Sequence, residues 1–159
     1  IQGIAISADD AAQVQRSLAS MQLRYEHQSQ SAIKLLNWLK QQKEFVQVLH
    51  PSDEASAGHT YWKEVCKEGH SAGLVSGILD PKYTLEDVRK FCDALTLFKL
   101  GFSWGGPVSL VMLYNLNEMR SIEHTHLKQG FLVRFCIGLE HSEDLIQDIE
   151  KAIKTLNKP

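Results

Sequence analysis

The chain has 159 residues, 43% of them hydrophobic and 23% charged, with a formal net charge of -2. That is one domain with enough apolar material for a core, and a near-neutral balance without basic runs argues against nucleic acid as a partner. No apolar stretch is long enough to span a membrane and no signal-peptide pattern opens the chain, while the dispersed Cys66, Cys92 and Cys136 read as reduced, core-filling thiols of a cytoplasmic protein.

Ile1 stands where an initiator methionine would, so the chain is expected to be a piece of something longer. Ser7, with Asp10 three residues on, reads as a capping-box-like helix start. Val14, Leu18, Met21 and Tyr25 then recur at helical spacing, and Ala32, Leu36 and Leu39 resume the stripe. Gln28 and Ser29 interrupt it, so one long core-facing helix, or two meeting near residues 26–30, is expected. Phe45 to Leu49 is a strand closed by Pro51. Residues 52–71 form a long irregular connection with a helical turn around Tyr61–Glu64. Gly73 to Leu79 is a second strand, and Asp80-Pro81 a turn. Thr84 caps a helix whose first turn carries Glu86 and Asp87, where the helix dipole favours acids. Leu97 to Phe102 and Val108 to Leu113 are the next strands, and residues 115–129 a polar loop. Ser142-Glu143-Asp144 opens a last helix with the stripe Leu145, Ile149, Ala152, Ile153 and Leu156.

The strand Phe131 to Ile137 alternates. Phe131, Val133, Phe135 and Ile137 share one face; Leu132, Arg134 and Cys136 share the other. The element order predicts a two-layer α/β sandwich: a mainly antiparallel sheet with helices on one face. Residues 1–44 are then a long linking helix or helices, and 45–159 the domain proper. Arg134 is the only charge between Lys128 and Glu140. A guanidinium in a half-buried strand needs an anionic partner, and its planar fork suits a carboxylate. That carboxylate belongs either to the protein, with Glu140 or Asp93 as candidates, or to a ligand. Gly105 and Gly106, after Ser103-Trp104, make a turn whose N–H groups are placed to meet an anion. Trp38 and Trp62 read as packing residues; Trp104 is poorly placed to be core. His124-Thr125-His126 offers two imidazoles without a third ligand, so no metal site is expected.

Ser103-Trp104-Gly105-Gly106, then Leu132-Val133-Arg134-Phe135-Cys136-Ile137-Gly138-Leu139-Glu140, then Glu143-Asp144-Leu145-Ile146-Gln147-Asp148 resemble the end of the Cys/Met-metabolism family of pyridoxal-phosphate enzymes. The tryptophan after the serine is similar to its cystathionine β-lyase branch. Arg16-Ser17-Leu18, Gly58-His59-Thr60-Tyr61-Trp62-Lys63 and Ser71-Ala72-Gly73-Leu74-Val75-Ser76 extend the likeness over nearly the whole chain, in order.

The resemblance implies the small C-terminal domain of the type I pyridoxal-phosphate fold. It implies that Arg134 binds a substrate α-carboxylate, helped by Ser103 and the backbone N–H of Trp104. The intact enzyme would split a small amino-acid thioether, cystathionine, into homocysteine, pyruvate and ammonia, as a homotetramer. The cofactor domain is absent from this sequence, with the Schiff-base lysine and every expected cofactor contact. The chain alone is therefore expected to have no catalytic residue, to bind no pyridoxal phosphate and no metal, and to be inactive. The alternatives are a stand-alone binding module, or part of a γ-synthase or γ-lyase.

Overall fold

A computed structural model describes residues 5–66, 69–119 and 126–156. Its elements are α1 (Ala8–Leu18), α2 (Met21–Leu39), β1 (Phe45–Leu49), α3 (His59–Val65), β2 (Leu74–Leu79), α4 (Leu85–Asp93), β3 (Lys99–Leu100), β4 (Leu110–Asn115), α5 (Leu116–Met119), β5 (Phe131–Cys136) and α6 (Ser142–Leu156). The five strands form one sheet in the order β1-β2-β5-β4-β3. Every pairing is antiparallel except β3 with β4. Helices α2 and α4 pack on the sheet and α6 packs against both of them, so the two-layer α/β sandwich stands.

The period-2 pattern decides which face they cover. Val75, Val111, Val133 and Phe135 are fully buried and meet Ala32, Leu35, Leu36 and Leu39 of α2, Val88 and Phe91 of α4, and Leu145, Ile149 and Ala152 of α6 in one core. Phe98 closes it, edge-on to Phe135 at 5.3 Å between ring centres. The other face carries Ser76, Arg134 and Met112 side by side, since Arg134 pairs with Ser76 on β2 and with Met112 on β4. Thr84 and Asp87 exchange the bonds of a capping box at the head of α4, and the Ser7 side chain caps α1 by accepting from the Asp10 N–H.

Three expectations are corrected. The helix break falls at residues 19–20, not 26–30. Gln28 and Ser29 do not interrupt α2: both are buried, and both bond across to other segments. Gln28 Nε2 donates to the Gly106 carbonyl at 2.7 Å, and Ser29 Oγ accepts from the Ser71 N–H at 3.0 Å. The early stripe is not core: α1 has no buried residue, and Val14, Leu18 and Met21 are exposed. Only the half from Ala32 onward faces the sheet. The third strand shrinks from six residues to Lys99–Leu100, because side chains claim the backbone at both of its ends.

Cys92 and Cys136 are buried as expected, whereas Cys66 is exposed at the end of α3. Trp38 packs against the core, and the Trp62 indole donates to the His70 carbonyl at 3.2 Å. His124 and Thr125 lie outside the described residues; the His126 carbonyl accepts from Gln47 Nε2 at 2.9 Å.

Candidate functional site

Arg134 stands in the middle of β5 on the face away from the helices. Its Nη2 donates to three successive carbonyls: Gly101 at 3.3 Å, Phe102 at 2.8 Å and Ser103 at 3.4 Å. The guanidinium carbon lies 5.6 Å from the centre of the Tyr114 ring, within cation–π range. Nε is buried and has no hydrogen-bond partner. Among the described residues no carboxylate forms an ion pair with Arg134. Carbonyl dipoles satisfy some of the N–H groups but do not neutralise the charge, so the demand for an anion persists.

Glu140, one of the two internal candidates, is committed elsewhere. Its carboxylate accepts from the Ser109 N–H at 2.9 Å and from the Ser109 hydroxyl at 2.7 Å. Ser109 Oγ in turn accepts from the Gly138 N–H at 2.8 Å. A β-carbon at Gly138 would lie 2.4 Å from Glu140 Oε2 and 2.5 Å from the Pro107 carbonyl, so this knot closes only around glycine. The other candidate, Asp93, is exposed at the end of α4.

The segment from Gly101 to Pro107 is the wall beside Arg134, and it is held at both ends. Upstream, the buried Asp148 of α6 accepts from the Thr96 N–H at 2.9 Å, the Thr96 hydroxyl at 2.6 Å, the Leu97 N–H at 2.8 Å and the Phe98 N–H at 3.3 Å. Burial alone would raise the Asp148 pKa, but these donors, the Thr96 hydroxyl first, hold it below the usual value. Downstream, Gln28 takes the Gly106 carbonyl and the Leu139 N–H takes that of Pro107 at 2.8 Å. Between them Gly105, at φ +76°, turns its N–H onto Cys136 Sγ at 3.4 Å. That N–H is therefore not free for an anion. Burial pushes the Cys136 thiol up, against the pull of the Gly105 N–H and Arg134.

Of the three residues singled out from sequence, Arg134 and Ser103 are in direct contact through the Ser103 carbonyl. Trp104 follows with its side chain two-thirds exposed (66%). The sequence reading missed the supports: Gln28, Ser109, Glu140 and Asp148. A signal exists for two of them. Asp148 interrupts the apolar stripe of α6 between Leu145 and Ile149, and Gln28 that of α2; a polar group on a buried helix face must find partners in the fold.

A lysine that forms a Schiff base is activated by desolvation or by a neighbouring cation, and every described lysine is exposed, so none of them fits that role by burial. Among the described residues, no group of three His, Cys, Asp or Glu side chains could hold a metal ion, and no helix is long and apolar enough to cross a membrane.

The profile of the family described as "Cys/Met metabolism PLP-dependent enzyme" matches residues 1–154. A cystathionine beta-lyase of Bordetella avium is 35% identical over 151 residues, which is 95% of this chain and 37% of that protein. An L-alanine/L-glutamate racemase of Wolbachia pipientis wMel is 30% identical over 155 residues, 97% of this chain and 38% of that one. Among solved structures, metB from Corynebacterium glutamicum superposes with a TM-score of 0.80 at 30% identity, over 98% of this chain and 40% of that one. The chain thus spans well under half the length of the relatives it matches.

Proposed function

Because this chain belongs to the family of Cys/Met-metabolism PLP-dependent enzymes, we propose that it is the C-terminal, substrate-carboxylate-binding part of a cystathionine β-lyase. Residues 1–44 are the linking helices and 45–159 the substrate-binding domain. The observation that carries this reading is Arg134: a half-buried guanidinium on the open face of the sheet, with a buried, unpartnered Nε and no acidic partner among the described residues.

The carboxylate of an amino-acid thioether meets the donors of Arg134 that the three carbonyls leave over. The Ser103 hydroxyl and the Trp104 N–H, on the adjoining wall, complete its surroundings. Holding a carboxylate between Arg134 on one side and the Ser103–Trp104 wall on the other fixes the direction of the attached Cα, which lets another part of the enzyme act on one chosen bond there. Nη2 keeps the wall in register with the sheet, so the clamp is formed before the ligand arrives. Trp104 directly after Ser103 favours the lyase over a γ-synthase or γ-lyase. A racemase would need the same clamp, so the clamp alone does not select the reaction.

The chain by itself lacks the Schiff-base lysine and is inactive in this account. The cofactor domain is a missing partner, and the intact enzyme is a cytoplasmic homotetramer. The exposed Val14, Leu18, Met21, Phe102 and Trp104 are the apolar side chains that a partner surface would cover in this account. Titrating the chain with acetate while following the Arg134 Nε–H resonance by NMR tests the clamp. The account expects a saturable downfield shift, absent with an alkylammonium salt; an Nε–H indifferent to acetate would refute it.

A further inference from the structure

On the open face of the sheet, Ile78 of β2 and Cys136 of β5 are buried, whereas Ser76 and Arg134, in the row between them, are half-buried. Gln47 ties down the cover at the Ile78 end. It pairs with Ile78, and its amide bonds both the His126 carbonyl and, at 2.8 Å, the Lys128 N–H. The Gly105 N–H on Cys136 Sγ marks the cover at the other end. The row between the two covers runs Leu49, Ser76, Arg134, Met112 across β1, β2, β5 and β4.

Ser76 is the polar exception in its strand, Leu-Val-Ser-Gly-Ile-Leu. A hydroxyl in the middle of an apolar strand should find a partner. The buried hydroxyls of Ser29, Ser109 and Ser142 all bond within the protein. The Ser76 hydroxyl has no partner among the described residues, and it is not sealed from solvent. It stands directly opposite Arg134, where cross-strand β-carbons are about 4.5–5.5 Å apart. On the other flank of Arg134, Met112 is a thioether with no hydrogen to donate. Of the two residues in register with Arg134, only Ser76 can offer a hydrogen to an anion.

We propose that Ser76 is a further substrate-binding residue, whose hydroxyl donates to the carboxylate held by Arg134. The inference rests on the reading of Arg134 as the carboxylate site. The strand order sets β2 on the opposite side of β5 from β3, and the Ser103–Trp104 wall follows β3 in the chain. Ser76 therefore approaches the carboxylate from the side that the wall leaves open. Its donor is carried on a short side chain of a central strand, so little freedom is lost when it binds. It serves the end that every amino acid shares, and so raises affinity without selecting the side chain.

Titrating the chain with acetate, followed by backbone amide and Arg134 Nε–H shifts, tests this. Ser76→Ala removes the hydroxyl and adds no bulk. It should weaken acetate binding about three- to tenfold, with the melting midpoint and the acetate-free Nε–H resonance close to those of the unaltered chain. Ser76→Thr keeps the hydroxyl and suits a strand, so it should bind acetate as the unaltered chain does. If Ser76→Ala binds acetate equally well, the Ser76 contact is overturned and the clamp stands. A weakened alanine variant whose acetate-free Nε–H resonance has moved as far as acetate moves it also overturns the contact, since Ser76 then acts by placing Arg134. So does a threonine variant as weak as the alanine one, since the hydroxyl is then not what binds. If the unaltered chain does not bind acetate, or Arg134→Lys binds it equally well, the carboxylate reading fails and the role of Ser76 with it.

Discussion

Asp148→Ala should be the most damaging single polar change in the described structure. The carboxylate is 3% exposed and gathers four donors from Thr96, Leu97 and Phe98. Thr96 is exposed, so its two donors would recover bonds to water. The Phe98 N–H would not, because Phe98 is 2% exposed and wedged against Phe135. One stranded backbone donor at about 1–3 kcal/mol, plus about 1 kcal/mol of lost packing, comes to about 2–4 kcal/mol. That is a large share of the roughly 5–15 kcal/mol that holds a domain together. Urea unfolding of both proteins reads it directly. The charge gives the loss a pH signature. The folded pKa of Asp148 lies below the usual value, so its contribution is full above about pH 3.9, the unfolded value, and fades as pH falls through the lower folded one. Asp148→Ala should therefore flatten the acid limb of the stability curve. A loss under about 1 kcal/mol, or an unchanged acid limb, would show that the donors find other partners. Because residues 96–98 lead into the carbonyls that hold Arg134, the same variant should loosen that contact.

Other predictions follow from buried groups. Burial drives the His50 pKa from 6.5 down to about 4, against the opposing pull of Asp53. The unfolded chain then takes the proton first, so stability is full above about pH 6.5 and declines from there toward pH 4. The shift corresponds to about 3 kcal/mol, and His50→Gln should remove that portion of the pH dependence from a melting series. A thiol reagent at neutral pH should label Cys66 quickly while sparing Cys92, whose pKa burial pushes up to about 12, and Cys136; equal labelling of all three would contradict the packing. Gly138→Ala should destabilise the chain by about 2–4 kcal/mol, read as a lowered melting midpoint, since its methyl group would displace Glu140 from Ser109.

What the sequence made legible follows from what is periodic. β5 was readable because Val133, Phe135 and Ile137 alternate with Arg134 and Cys136; Val133 and Phe135 flank the half-buried Arg134 as fully buried residues, while Cys136 is buried as well, on the other face. The head of α4 was readable because a capping box is a local code, and α6 because its stripe is unbroken except by Asp148. The rest depended on partners distant in the chain. β3 is two residues long because Asp148 claims the N–H groups before it and Arg134 the carbonyls after it. The break after Leu18 was hidden because no glycine or proline marks it, while Gln28 looked like a break and is instead a tether. Arg134 announced itself as a lone charge in an apolar strand. Its cage could not be foreseen, because main-chain carbonyls leave no trace in residue type.

The central claim is that Arg134, besides bonding the carbonyls of Gly101, Phe102 and Ser103, holds a ligand's carboxylate rather than one of the protein's own. Arg134→Lys keeps the charge but not the fork. Melting midpoint and kcat/KM, measured on one preparation of the intact enzyme proposed above, separate the two roles. The account predicts a midpoint close to that of the unaltered protein, because Val133, Phe135 and Ile137 carry the packing, with kcat/KM lower by roughly ten- to hundredfold for one charge-assisted bond lost. A large drop in the midpoint with kcat/KM per folded molecule unchanged would contradict it.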